Sequence, residues 1–375
     1  MSHIDRATFS QRSLPKARSD WLASLQRTFP DHVPLYAVSA AFVSVAIVVS
    51  VVYRLPLPLS TALFFLVTLI EIAGLVCGVY ALRLLWKMFQ QGQPGRPLVA
   101  IGRALVQSLL AGDRFGNLVH GLLSFTPLMV VFAALKPDIA RIQPFAWDQT
   151  FMRADLALGF GNQIWKLLQP VFGHPLITTI LSVSYGAWFL VMFGCFFWQL
   201  IKSERSLQRI QFLVAFAFSW FFAGFVLATI FSSAGPCFYS YVAAGTDPYA
   251  PLLAYLEESS KHWPIWTVQI QHGLWAAYQT GSGSVEGISA MPSMHVTIAV
   301  LLAIFGWRTN WQLGLALTSF AAIICLASIL LAWHYAVDCF AGAALAFVFW
   351  RAAGFVVGMW SASLERAPIK SAIAA

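Results

Sequence analysis

Eight stretches of mainly apolar residues, most of them near the length needed to cross a bilayer, divide this 375-residue chain. They lie at approximately 34–53, 60–83, 116–135, 176–201, 210–231, 292–307, 311–332 and 335–357. About 30 Å of hydrocarbon calls for roughly 20 helical residues, and a helix is the one open segment that satisfies its own backbone there. The pattern predicts an all-α polytopic membrane protein. Composition agrees, with 59% hydrophobic and 10% charged residues against about 25% charged in an ordinary soluble domain. A soluble fold is excluded, because no water-surrounded core of this size could absorb the blocks. The sixth block is short and the last two nearly abut, so their bounds are approximate.

The net charge of +8 would suggest nucleic-acid binding in a soluble protein, but its placement argues for topology instead. With the N-terminal tail (1–33) on the cytoplasmic side, segments 83–115, 202–209, 308–310 and the end from Arg351 join it there. Together they hold 17 of the 23 Lys and Arg residues. Arg54, Lys136, Arg141, Arg153, Lys166 and Lys261 fall on the other side, which is the bias of the positive-inside rule. No basic run with interleaved aromatics occurs, so no nucleic-acid partner is expected. The first 33 residues lack the apolar core and cleavage site of a signal peptide and read as a retained tail. The expected location is a bacterial inner (plasma) membrane. Cys77, Cys195 and Cys325 lie in apolar blocks and read as small buried hydrophobes. Cys237 and Cys339 fall near the outer face, where a disulfide is conceivable without any distance to support it.

Two outer segments are too long to be turns, and such segments are more often functional than idle. The first, Lys136 to Pro175, contains a helical stretch with Trp147, Phe151, Ala154 and Leu158 about one turn apart. Asp148, Arg153 and Asp155 fall on its other faces, and the stretch reads as an interfacial helix lying along the membrane. The second, Ser232 to Met291, begins Ser-Ser-Ala-Gly-Pro and ends with a glycine-rich run leading into Ser289-Ala-Met-Pro-Ser-Met-His295.

Ionisable groups at membrane depth are costly, so each is a functional candidate. In the last three blocks these are His295, His334 and Asp338. His295 lies about one turn into the sixth block; the chain then crosses inward and back before His334. Crossing parity alone puts both imidazoles at one face. His334 and Asp338 are spaced i, i+4, which places them on one helical face. A carboxylate that accepts a proton from one imidazole nitrogen leaves the other free as a nucleophile. A structural ion pair at a helix start is the plainer reading of that spacing. Pro292-Ser293 opens the sixth block, where a capped helix N-terminus favours an anion, and Ser293 and Met294 become candidate substrate-binding residues. An ordinary helix start explains the same pair. The two histidines with Asp338 could also bind a divalent metal, but no third ligand stands at suitable spacing.

Pro292-Ser293-Met294-His295, followed at membrane-crossing distance by His334-Tyr335-Ala336-Val337-Asp338, resembles the phosphatidic acid phosphatase type 2 superfamily. Within it, the resemblance is to the inositol phosphorylceramide synthase-like (inositolphosphotransferase) branch, over roughly residues 116–350. The resemblance implies a six-helix core formed by blocks three to eight. It also implies two extra N-terminal transmembrane helices with a cytoplasmic loop in 34–115, a catalytic membrane domain in 116–358 and a cytoplasmic tail in 359–375. It assigns His334 as the nucleophile that forms a phosphohistidine, Asp338 as the residue that orients it, and His295 as the general acid. No metal or cofactor is implied. The chain departs from the superfamily in three places. The Lys and Arg-Pro of the first motif are missing, and Ser232-Ser-Ala-Gly-Pro-Cys-Phe-Tyr239 stands at about that place. Ser328 replaces the Arg six residues before the third-motif His, and Met294 replaces a Gly. Arg141, Arg153, Lys166 and Lys261 are the candidates for replacing the missing cations.

The expected activity is metal-independent lipid phosphatase or phosphotransferase chemistry on a lipid phosphate or phospholipid, at the periplasmic or outer face. Water as acceptor would make it a hydrolase, and an alcohol would make it a transferase. Two other readings stay open. One is a membrane transporter or lipid-binding protein that uses the His/Asp cluster for proton relay, and the other is an inactive scaffold of the same fold. The sequence leaves the oligomeric state open.

Overall fold

The computed structural model describes residues 17–55, scattered positions between 67 and 90, and residues 97–204, 206–281 and 287–373. Most of the second apolar block and of the glycine-rich run before Ile288 lies outside the described residues. All regular structure among the described residues is helical. The main helices are α1 (Ala17–Tyr53), α2 (Pro97–Leu110), α3 (Arg114–Leu135), α4 (Asp148–Leu158), α5 (Ile164–Phe172), α6 (Pro175–Leu200) and α7 (Leu207–Phe218). They are followed by α8 (Ala250–Ser260), α9 (Thr267–Thr280), α10 (Met294–Thr309), α11 (Trp311–Leu330) and α12 (Ala336–Ile373). Helix α7 continues through a widened π-helical stretch, Ser219–Leu227, into Ala228–Ile230.

Six helical segments are long and apolar enough to cross a membrane: Trp21–Tyr53, Arg114–Ile142, Pro175–Leu200, Leu207–Ile230, Trp311–Leu330 and Ala336–Arg366. Helix α10 is apolar but has only 16 residues, consistent with the short sixth block. Helices α3, α6, α7, α10, α11 and α12 form the central bundle, with Phe196, Phe212, Phe216, Phe305 and Trp188 fully buried between them. The two long outer segments are helical as well as irregular: α4 and α5 lie in the first, α8 and α9 in the second. Cys237 and Cys339 are buried free thiols, and Cys195 and Cys325 are half-buried free thiols against the core.

Helix α1 starts well before the first apolar block, and the reason is polar. Ser24 accepts from the Gly116 N–H at 3.1 Å, and His32 Nε2 meets Arg209 Nη2 at 3.2 Å. His120 on α3 reaches the Leu25 carbonyl at 3.0 Å and the Tyr36 hydroxyl at 2.9 Å. These contacts lie on one stripe of α1, which extends the helix through a region that hydropathy reads as tail. At the other end of the chain α12 runs on past 357, and Trp360 donates to the Pro30 carbonyl at 2.7 Å, joining the last helix to the first.

Candidate active site

The long outer segments, the start of α10 and the α11–α12 junction meet at one end of the bundle. Helix α10 begins after Pro292, with Ser293 as its N-cap; the Ser293 hydroxyl accepts from the Val296 N–H at 3.4 Å. The Ser293 N–H donates to the Asp338 carbonyl at 3.2 Å. Gly342 lets α12 come this close, because a Cβ there would lie 2.7 Å from the Ser293 carbonyl oxygen. Ser293 is therefore fully buried and committed to capping, and Met294 is half-buried, with its sulfur near Gly224.

The α11–α12 junction is a tight turn in which the Ser328 carbonyl accepts from the N–H groups of Trp333 and His334 at 3.1 and 3.0 Å. Ala332 takes a left-handed conformation with φ 58°, a strain that local bonding must hold. The Cys237 N–H donates to its carbonyl at 2.9 Å. His334 follows, 7% exposed, and its Nδ1 lies 2.8 Å from the Ala290 carbonyl. That contact fixes the tautomer: Nδ1 carries the proton and Nε2 keeps its lone pair. Asp338 Oδ2 stands 3.6 Å from the same Nδ1, at ion-pair rather than hydrogen-bond distance, and accepts from the Tyr335 N–H at 3.0 Å. The other carboxylate oxygen of Asp338 is buried without a partner among the described residues. The carbonyl of Ala290, which carries no signal in a sequence, thus holds the position expected of Asp338.

His295 sits between aromatic faces, stacked on Tyr185 at 4.0 Å between ring centroids and tilted against Trp188 at 4.2 Å. Its Nδ1 lies 3.1 Å from the Tyr185 hydroxyl, and Trp188 donates to its carbonyl at 3.0 Å. The His295 and His334 ring centroids are 6.4 Å apart. Neither Nε2 has a hydrogen-bond partner among the described residues. No group of three or more His, Cys, Asp or Glu side chains there is placed to hold a metal.

The helix read as interfacial is a brace for this site. Asp148 accepts from the N–H groups of Ala234 and Gly235 at 2.9 and 2.8 Å and from the Tyr335 hydroxyl at 2.8 Å. Asp155 accepts from the N–H groups of Ala336 and Val337 at 2.8 and 2.9 Å, capping the first turn of α12. Burial pushes the Asp148 carboxyl up, against its N–H donors, and pushes Asp155 up to about 6. The Ser-Ser-Ala-Gly stretch completes the knot. The Ser233 carbonyl accepts from the Ala290 N–H at 2.9 Å, and its hydroxyl accepts from the Met291 N–H at 3.2 Å. Gly235, at φ 100°, passes so close to the Trp333 carbonyl that a Cβ would lie 2.7 Å from it. A braced backbone therefore stands where the first motif's cations would be.

None of the four candidate cations enters the site. Arg141 and Lys261 form exposed ion pairs with Asp138 and Glu258, Lys166 lies over the Trp165 ring, and Arg153 is exposed. Lys136, at the end of α3, is a half-buried lysine beside the chain that leads to Ala290. Gly287 packs directly on the Lys136 carbonyl, where a Cβ would collide, which ties this lysine to the strand of chain leading to Ala290.

No curated protein and no solved structure matches the chain at a significant level. The sequence pattern of the PAP2 superfamily matches residues 149–352, more than half of the length and a span that includes both histidines, so the chain belongs to that superfamily.

Proposed function

We propose that this protein is a metal-independent lipid phosphatase or phosphotransferase that works through a phosphohistidine, as an inositol phosphorylceramide synthase-like member of its superfamily. Superfamily members are generally phosphatases or phosphotransferases. One observation carries the reading: two imidazoles 6.4 Å apart, each held at Nδ1 and each with Nε2 unengaged.

In the first half-reaction the Nε2 lone pair of His334 attacks phosphorus, forming an N–P bond as the P–O bond to the leaving group breaks. His295 gives its proton to the departing oxygen. In the second half, water or an alcohol attacks the same phosphorus, His295 takes that proton, and the N–P bond breaks. Asp338 at 3.6 Å supports the positive charge that develops on the His334 ring. The Lys136 ammonium meets charge on the phosphoryl oxygens, the task that the absent Arg and Lys of the superfamily motifs would otherwise perform. Ser293 shapes the start of α10, and its buried hydroxyl supports a positioning role more than direct substrate contact. The lysine and arginine distribution supports a site at the outer or periplasmic face of a plasma membrane, with lipid entering from that leaflet.

The acceptor decides between hydrolase and transferase. Purified protein incubated with headgroup-labelled phospholipid, with and without inositol, glycerol or ceramide, distinguishes them. Transfer product with little free phosphate supports the transferase assignment and free phosphate the hydrolase. No turnover together with lipid or proton flux in vesicles contradicts both.

A further inference from the structure

The opposite end of the bundle holds a cavity of about 440 Å³ whose lining includes Gln208, Gln211, Arg308, Trp350, Arg351 and Gly354. Three helices build it. Helix α7 supplies both glutamines, α10 ends in Arg308, and α12 supplies the rest. Arg308 lies 13 residues after His295 and Arg351 13 residues after Asp338, which at 1.5 Å per residue puts both guanidiniums about 20 Å from the imidazole pair. The cavity is therefore separate from that site and independent of its chemistry.

Its composition is one-sided. No acidic residue lines it, and neither guanidinium has an acidic partner among the described residues. Gln211 donates to the Trp350 carbonyl at 2.8 Å, and only a glycine at 354 permits this, since a Cβ would lie 2.6 Å from Gln211 Nε2. That close approach holds one wall of the cavity. On the outside of α12, Phe347, Arg351 and Phe355 follow one another at four-residue spacing, and the two phenylalanines are 58% and 70% exposed. The guanidinium therefore rises from an apolar stripe that faces lipid.

We propose that this cavity binds the phosphate headgroup of an anionic membrane lipid in the leaflet opposite the imidazole site. Arg308 and Arg351 engage the phosphate, the glutamines bond its ester oxygens, and the acyl chains lie along Phe347 and Phe355. Two arginines from different helices lining one cavity that has no carboxylate can serve as a receptor for an oxyanion. The positive-inside distribution puts them in the cytoplasmic leaflet, where anionic lipids collect.

Native mass spectrometry of the full chain in neutral detergent, titrated with phosphatidylglycerol or phosphatidylcholine, tests this. The expected result is retention of phosphatidylglycerol at least about tenfold tighter than phosphatidylcholine, and loss of that preference in Arg308→Gln/Arg351→Gln. Gly354→Leu keeps both charges and fills the cavity, so it should lose the same preference; thermal unfolding of each variant shows that the bundle is intact. Equal retention of the two lipids, or a preference unchanged in folded variants, overturns the proposal. Displacement of the lipid by millimolar inorganic phosphate also overturns it, because the site would then take the free anion.

Discussion

Buried histidines occur at both ends of this bundle, and the two pairs are treated differently. At the end where α1, α3 and α7 meet, every imidazole nitrogen is engaged. His32 holds the Thr28 carbonyl at 2.9 Å and Arg209 at 3.2 Å; His120 holds the Tyr36 hydroxyl at 2.9 Å and the Leu25 carbonyl at 3.0 Å. At the other end His295 and His334 are each engaged once. The same residue type is a strut where both nitrogens are satisfied, and in the proposed reading a reagent where one is left over. A buried group without a partner costs free energy. Two such imidazoles with ring centroids 6.4 Å apart are what the proposed function explains.

The contrast can be broken by exchanging effects between the ends. His295→Gln should lower kcat about a thousandfold on a natural phospholipid. The loss should be much smaller on p-nitrophenyl phosphate, whose leaving group needs no proton; equal losses on both substrates would remove the acid role. Lys136→Met should lower kcat/KM about a hundredfold, with partial recovery in Lys136→Arg. An unchanged value would return the phosphate-binding role to the backbone alone.

At the far end Arg209→Met strands the Asn117 side-chain Oδ1, which accepts at 2.8 Å in the native chain, and one nitrogen of His32. Thermal unfolding in detergent should show a loss of about 2 kcal/mol or more, with kcat per folded molecule unchanged. A fall in kcat matching that of the His295 variant would erase the distinction between the ends.

The smallest expected effect is a pH slope. Burial raises the Asp155 carboxyl to about 6 from 3.8, so the folded state holds this proton more tightly than the unfolded chain does. The stability that this group contributes is full below pH 3.8 and is lost as pH rises through about 6. The unfolding temperature of Asp155→Asn should therefore vary less over that window than that of the native chain.

Much of this was legible in the residues. Block lengths locate the core helices to within a few positions except at the end of α12, which runs on to Ile373, since the energetic demand of the bilayer is written directly in hydropathy. Crossing parity put His295 and His334 at one end before any distance was known. The parts that escaped are those whose chemistry has no side-chain signature or whose signal points the wrong way. The Ala290 carbonyl that sets the His334 tautomer is invisible in a sequence. Ser24, Thr28 and His32 make residues 17–33 look like a tail, whereas Ser24 bonds the α3 backbone, His32 meets Arg209, and Thr28 donates to the Ser24 carbonyl of its own helix. Asp148 and Asp155 read only as residues on the other faces of an interfacial helix, because the spacing of apolar residues cannot show that N–H groups from Ala234, Gly235, Ala336 and Val337 will meet them. Lys136 was passed over because it closes a hydrophobic block, where a lysine is expected to mark a membrane boundary.

The central claim is that His334 Nε2 carries the phosphoryl group between donor and acceptor. Rapid quenching in base of protein mixed with substrate labelled at phosphorus tests it most directly, followed by mapping of any acid-labile label to its residue. The result predicted is stoichiometric label on His334, absent in His334→Ala while that variant unfolds at an unchanged temperature. Sustained turnover by His334→Ala, or label on any other residue, would contradict it.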